Sequence, residues 1–241
     1  MSVVFTLQNV VKERLTDGVG FRLCVPEIKV NAEENIALVG HSGCGKSTLL
    51  DIFGLILHPD QSDTFNLNPV GDDNVDLAKL WKGHQQNKLS QIRKRHIGYV
   101  LQSGGLLPYM TVRENIELPR RLLNLPDDDS ISSISRVLGI HRQLDKLPGL
   151  LSAGERQRAA FARALSHRPS ILLADEPTAS LDPITARKIM AVVMELIRGL
   201  KITLITASHD WAHVYKMELR TLHQEAHAID DGRIYQSIFR D

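Results

Sequence analysis

Gly40-His41-Ser42-Gly43-Cys44-Gly45-Lys46-Ser47-Thr48 is the stretch on which the reading of this chain turns. It fits G-x-x-x-x-G-K-[ST], with Gly40, Gly45, Lys46 and Ser47 at the defining positions. The apolar run Ile36-Ala37-Leu38-Val39 leads into it, and Ser47 to Phe53 leaves it with helical spacing. Strand, glycine-rich turn and helix form the context in which this motif binds phosphate. Glycines let backbone amides approach an anion that side chains would keep away. The helix start adds unpaired N–H groups and a partial positive charge. On this reading residues 40–48 cradle a nucleotide triphosphate, Lys46 neutralises its β- and γ-phosphates, and the Ser47 hydroxyl ligates Mg²⁺. Cys44, beside Lys46 and a helix N-terminus, is expected to be a reactive thiol.

Working outward, the composition narrows the class. A chain of 241 residues can bury a sound core as one domain or as a core with a subdomain. A net charge of +1 exerts no general pull toward nucleic acid or an acidic membrane. Cys24 and Cys44 are too few for a disulfide framework, which favours a reducing compartment. The start, MSVVFTLQNVVKER, lacks the basic head and apolar core of a signal peptide, and no apolar run reaches the length of a membrane span. The expectation is a cytoplasmic protein that meets any membrane through a partner.

Along the chain, residues 3–10 and 21–30 read as strands flanking a polar turn from Lys12 to Gly20. His58 to Gly83 reads as loop with short edge elements, and Leu89 to Arg95 as a short basic helix. Ile97 to Leu101 is a strand ended by Gln102 and the Ser103-Gly104-Gly105 turn. Thr111 and Glu114 form a capping box that opens a helix. Asp127 to Ser130 opens another, with Ile131, Ile134, Val137 and Leu138 at helical spacing. Ile171-Leu172-Leu173-Ala174 and Ile202 to Thr206 suit buried parallel strands. Between them Asp182 caps a helix that has Pro183 at its first position. Residues 226–238 read as a hairpin turning at Asp231-Gly232. The fold class is therefore α/β: a phosphate-loop core with a parallel sheet, an antiparallel β subdomain and an inserted all-helical subdomain. Residues 1–102 and 169–241 are assigned to the nucleotide-binding core of a single domain, and 103–168 to the helical part.

Two further motifs carry chemistry. Asp175 and Glu176 end a buried strand, where Asp175 can hold Mg²⁺ and Glu176 can polarise water for attack on the γ-phosphate. Leu151-Ser152-Ala153-Gly154-Glu155 opens a helix with Ser152 as its N-cap, which makes a second anion-attracting helix start.

Taken together, these motifs resemble those of an ATP-binding-cassette ATPase, in that family's order and over essentially the whole chain. They are the phosphate loop at 40–48, the glutamine loop at Gln102, the signature at 151–155 and the strand with its catalytic Glu at 171–176. The Ser180-Leu181-Asp182 loop and the switch histidine, His209, follow. The resemblance implies a head-to-tail homodimer in which Ser152 and Gly154 of one subunit close over ATP held by the other. It implies that Gln102 touches Mg²⁺, that His209 senses the γ-phosphate, and that Asp182 belongs to the nucleotide site. The implied cofactors are ATP and Mg²⁺, and the implied partner is an integral membrane permease. Three departures stand out. Ala153 and Glu155 replace the usual Gly and Gln of the signature, and the loop Lys12 to Gly18 lacks the family's adenine-stacking aromatic.

Within the family, LSQIRKRHIGYVLQSGGLLPYMTVRENIELP, residues 89–119, is similar to the lipoprotein-releasing, macrolide-efflux and cell-division branch. The expected function is the ATP-hydrolysing subunit of a transport or mechanotransmission complex, peripheral on the inner face of the membrane. The alternative is a soluble cassette ATPase acting on DNA or ribosomes. The 106 positions from Lys46 to Ser152 leave no room for a long coiled coil, two cysteines cannot build zinc modules, and there is one motif set rather than two. Nucleic acid is therefore not an expected partner. A cassette that binds ATP without turnover fits poorly with Glu176 and His209 both present.

Overall fold

The alternation in residues 3–31 builds one long antiparallel hairpin. In the computed structural model, which describes residues 2–69, 71–126, 128–208 and 219–241, β1 spans Val3–Thr16 and β2 spans Val19–Asn31. The segment read as a polar turn from Lys12 to Gly20 is thus mostly strand. Lys12 pairs with Leu23 and Glu13 with Arg22, and the Arg22–Glu13 ion pair at 3.2 Å ties the polar rungs together. Cross-strand pairing overrides the polar composition there. The chain reverses at Asp17-Gly18, both at positive φ (52° and 76°), as a two-residue hairpin turn requires.

Internal contacts divide the chain into two compact units, Met1–Gln91 with Ile205–Asp241, and Ile92–Leu204. In the first, β1 pairs antiparallel with β2 and with β4 (Thr64–Leu67), which carries the short edge strand β5 (Val75–Asp76). On its other side β2 pairs in parallel with β10 (Ile234–Arg240), which forms a hairpin with β9 (Arg220–Ile229). β9 in turn runs parallel to β3 (Asn35–Val39), the strand that enters the phosphate loop. The terminal hairpin expected at 226–238 is therefore longer and belongs to a mixed sheet.

Helix α1 (Lys46–Phe53) packs Leu49, Leu50, Ile52 and Phe53 wholly out of solvent. Phe53 meets Phe5 edge-on at 5.1 Å, and Phe5 lies 6.4 Å from Phe65. Full burial of one such side chain is worth about 1.5–3 kcal/mol. This cluster fixes where α1, and with it the loop, emerges. The region read as loop from His58 to Gly83 also holds a helix, α2 (Leu77–Lys82). Asp76 caps it by accepting from the Lys79 amide, and Leu77 and Trp81 are buried. A helix of six residues is too short to register as periodicity in a polar sequence.

In the second unit β6 (Ile97–Val100) and β7 (Ile171–Asp175) pair in parallel, and Ile171 to Ala174 are fully buried. The short basic helix is α3 (Gln86–His96), which begins among the residues of the first unit, ends among those of the second and leads into β6. Next come α4 (Val112–Leu122), α5 (Ser130–Val137) and α6 (Ala153–Leu165), and no strand occurs among the described residues of 103–168. Both capping-box partners at Thr111 and Glu114 are engaged. On α5 the buried positions are Ile131 and Ile134, with Leu138 following; Val137, expected on that face, is 52% exposed.

Alanines line the buried side of α6, and β6 approaches it closely enough that a Cβ on Gly98 would lie 2.2 Å from the Ala164 carbonyl oxygen. Only glycine fits there. After β7, α7 (Pro183–Leu200) starts at Asp182, and β8 (Thr203–Ser208) carries the chain back into the first unit.

Candidate functional site

The phosphate loop is held from within and from behind. Lys46 is 5% exposed, and its Nζ donates to the carbonyls of Gly40 and His41, both at 2.9 Å. A cation drawn across its own loop fixes the loop's curvature and sits where anionic charge is expected. Behind the loop, the buried Ser237 hydroxyl of β10 donates to the Cys44 carbonyl at 2.7 Å. Gly40 is a close approach rather than a turn, since a Cβ there would fall 2.6 Å from Cys44 Sγ. Gly43 (φ 79°) and Gly45 (φ 98°) occupy the left-handed region that glycine favours. Gly45 is also the N-cap of α1, so the amides that follow belong to the helix start.

His41, Ser42, Gly43 and Ser47 are exposed along this rim, while Thr48 is buried beneath it. The expectation of a reactive Cys44 does not hold. The side chain is 1% exposed, folded under the loop between Gly40 and Lys46, so a bulky electrophile cannot reach the sulfur.

The remaining expected residues, apart from His209, lie in the second unit. Gln102 follows β6, and its amide Nε2 donates to Glu176 Oε2 at 3.5 Å. The loop beyond Gln102 is anchored by the fully buried Asn115, whose Nδ2 donates to the carbonyls of Leu107, Met110 and Thr111. Its Oδ1 accepts from the Leu107 amide. Asp175 is the last residue of β7, and Glu176 follows in left-handed conformation with φ 42°. A non-glycine residue held there costs roughly 1–2 kcal/mol, and such strain concentrates at functional positions. Asp182 caps α7 by accepting from the amides of Ile184 and Thr185, at 3.1 and 3.0 Å. Hydrogen bonding from Thr185, with Ile184 in support, holds its carboxyl below the usual carboxylate range.

Ser152 caps α6, and here the substituted Glu155 has a definite role. Its Oε2 accepts from the Ser152 amide and hydroxyl, both at 2.8 Å, and its Oε1 accepts from Gln143 at 2.8 Å. Those bonds from Ser152, the backbone one foremost, lower its pKa. The helix start at Ser152 to Gly154 is therefore rigid. A Cβ on Gly154 would come within 3.2 Å of the Thr185 methyl. His209 lies outside the described residues.

An ABC transporter family model matches residues 25–179. This chain belongs to that family. It is an ATP-binding ATPase with the mixed α/β cassette fold. Among similar proteins is the lipoprotein-releasing system ATP-binding protein LolD 2 of Rhodopseudomonas palustris, 35% identical over 83% of each chain. The bacitracin export ATP-binding protein BceA of Halalkalibacterium halodurans is 31% identical over 89% of this chain and 84% of its own. A dimeric structure of the cassette MJ0796, in a post-hydrolysis state with ADP and Pi, superposes with a TM-score of 0.73 at 28% identity. That match covers 91% of this chain and 93% of the other. CbiO1 of Clostridium perfringens, part of the transporter complex cbiONQ, has a TM-score of 0.71 at 26% identity, covering 87% of this chain and 80% of its own.

Sequence reading missed two contributors behind the phosphate loop, Ser237 and an aromatic pair, Phe21 and Tyr235. The alternation of β2 does put Phe21 and Leu23 on one face. That this face meets a strand from the far end of the chain is a parallel pairing that no local pattern reports.

Proposed function

We propose that this chain is the ATP-hydrolysing subunit of a transport or mechanotransmission complex and drives a separate membrane permease from the inner face of the membrane. It acts as a head-to-tail homodimer, with residues 103–168 as the signature subdomain. The observation that carries this reading is the coexistence, in one chain of this family, of a braced phosphate loop and a rigid serine–glycine helix start at Ser152–Gly154. Relatives named for lipoprotein release and bacitracin export, and a dimeric structural neighbour, support it. Among the described residues no helix is long and apolar enough to cross a membrane, which fits a partner that does.

In this mechanism the loop amides and Lys46 hold the β- and γ-phosphates, and Ser152 and Gly154 of a second copy close over the γ-phosphate. Ser47, Gln102 and Asp175 offer hydroxyl, amide and carboxylate oxygens, a hard donor set suited to Mg²⁺. Magnesium, when bound, neutralises charge on the phosphate oxygens. Glu176 accepts a proton from a water whose oxygen bonds to the γ-phosphorus as the bridging oxygen leaves with ADP. Gln102, bonded to Glu176, orients that base, Asp182 lines the nucleotide site, and His209 senses the γ-phosphate.

Glu176→Gln keeps size and hydrogen bonding and removes the base, which typically costs 10²–10⁴-fold in rate. The variant is expected to bind ATP, to stop turning over, and to run as an ATP-dependent dimer in size-exclusion chromatography. Adding Ser152→Arg should abolish that dimer. Near wild-type turnover in Glu176→Gln refutes the base, and ATP binding without dimerisation refutes the composite arrangement.

A further inference from the structure

Arg14, on the β1 side of the first hairpin, stands opposite Phe21 in register, so the stretch from Lys12 to Gly18 offers a base no ring to stack on. Phe21 itself changes the picture. On its other side it is in register with Tyr235 of β10. Directly opposed residues share a sheet face, and the two rings are stacked, with centroids 6.2 Å apart and planes 21° from parallel. Two residues further along, that face carries Leu23 and Ser237, in register with each other, and Ser237 is the residue bonded to the Cys44 carbonyl. A Cβ on Gly45 would lie 2.7 Å from Phe21 Cζ and 3.3 Å from Leu23 Cδ1. The aromatic pair and the helix-opening glycine of the phosphate loop are thus one continuous surface. Phe21 is only partly buried and Tyr235 is 43% exposed, so ring surface is open to solvent beside the loop.

We propose that Phe21, braced by Tyr235, is the stacking surface for the purine base of the bound nucleotide. The platform comes from β2 and β10 rather than from the hairpin tip. This inference rests on reading the phosphate loop as the ATP site, and it adds how the base is recognised. A ring reads the π-face of a base and not its hydrogen-bonding edge, so discrimination among purines is weak. ATP and GTP are expected to bind within about tenfold of each other, and both more tightly than CTP, whose single ring overlaps less.

The test measures equilibrium binding of ATP, GTP, CTP and inorganic tripolyphosphate by calorimetry with Mg²⁺ present. Phe21→Leu keeps an apolar contact on Gly45 and removes the ring. It should weaken ATP and GTP roughly 5- to 150-fold, the range of base–aromatic stacking, and leave tripolyphosphate binding unchanged. Phe21→Trp should restore ATP binding. Tyr235→Ala, which leaves the contact on Gly45 in place, should weaken ATP by a smaller factor and again spare tripolyphosphate. Equal loss of tripolyphosphate in Phe21→Leu would overturn the proposal, because Phe21 would then act only by packing the loop. Unchanged ATP binding in Phe21→Leu would overturn it too. The parent reading is judged separately with Lys46→Ala, which should lose ATP and tripolyphosphate together. A wild-type chain that binds neither overturns both readings.

Discussion

Lowering the pH should destabilise this protein through one residue, His167. It lies between α6 and β7, is 8% exposed, and neither ring nitrogen has a partner of normal hydrogen-bond geometry. Burial, reinforced by the positive charge of nearby His96 and Arg120, lowers its pKa from 6.5 to about 4. Above pH 6.5 the imidazole is neutral in both folded and unfolded chains, and stability is complete. Between pH 6.5 and about 4 the unfolded chain binds a proton that the folded chain refuses, so stability falls as pH falls. A shift of that size at about 1.36 kcal/mol per unit amounts to roughly 3 kcal/mol in all, of which about 2 kcal/mol is gone by pH 5.

The perturbation that isolates the effect is His167→Leu, which removes the titrating group and keeps an apolar side chain of moderate size. Urea unfolding at pH 7.5 and pH 5 should show the wild type losing about 2 kcal/mol more than the variant between the two conditions. Comparing the variants cancels the contribution of the other histidines. Parallel pH profiles for the two proteins, or an NMR titration placing His167 near pH 6.5, would refute the reasoning. The functional consequence follows from position. Ser152 caps the start of α6 and β7 ends at Asp175, just before Glu176, so loosening the segment between the two elements frees residues at both ends.

Three other substitutions or probes test the geometry of the loop. Gly45→Ala forces a side chain into left-handed backbone at φ 98° and onto Phe21, and should cost more than about 1–2 kcal/mol and abolish ATP binding in a filter assay. Ser237→Ala removes the buried hydroxyl that donates to the Cys44 carbonyl and should lower stability by about 0.5–1.5 kcal/mol in denaturant titration, while raising KM for ATP more than it changes kcat. In a Cys24→Ser background, maleimide should label Cys44 slowly in the folded protein and quickly in denaturant. Fast labelling of the native chain would contradict the buried thiol.

Much of this molecule was legible without coordinates, because its motifs are local. Residues 40–48 carry their own geometry: glycines where φ is positive, a lysine six residues beyond the carbonyl it binds, and a helix immediately after. Thr111, Ser152 and Asp182 announced helix starts for the same reason, since a cap needs only amides two or three residues away. Misreadings occurred where one partner was distant. Lys12 to Gly20 looked like a turn because its polar side chains are paid for across the hairpin, by Arg22 on β2 and the pairing it supports. Cys44 looked reactive because its neighbours in sequence are a cation and a helix start, yet tertiary packing folds its sulfur under the loop. Phe21 looked like one more strand residue until β10, more than two hundred positions away, placed Tyr235 and Ser237 beside it. Chemistry that depends on backbone conformation and nearest neighbours is written locally. Burial, and the company a side chain keeps across a sheet, are set only when distant strands pair.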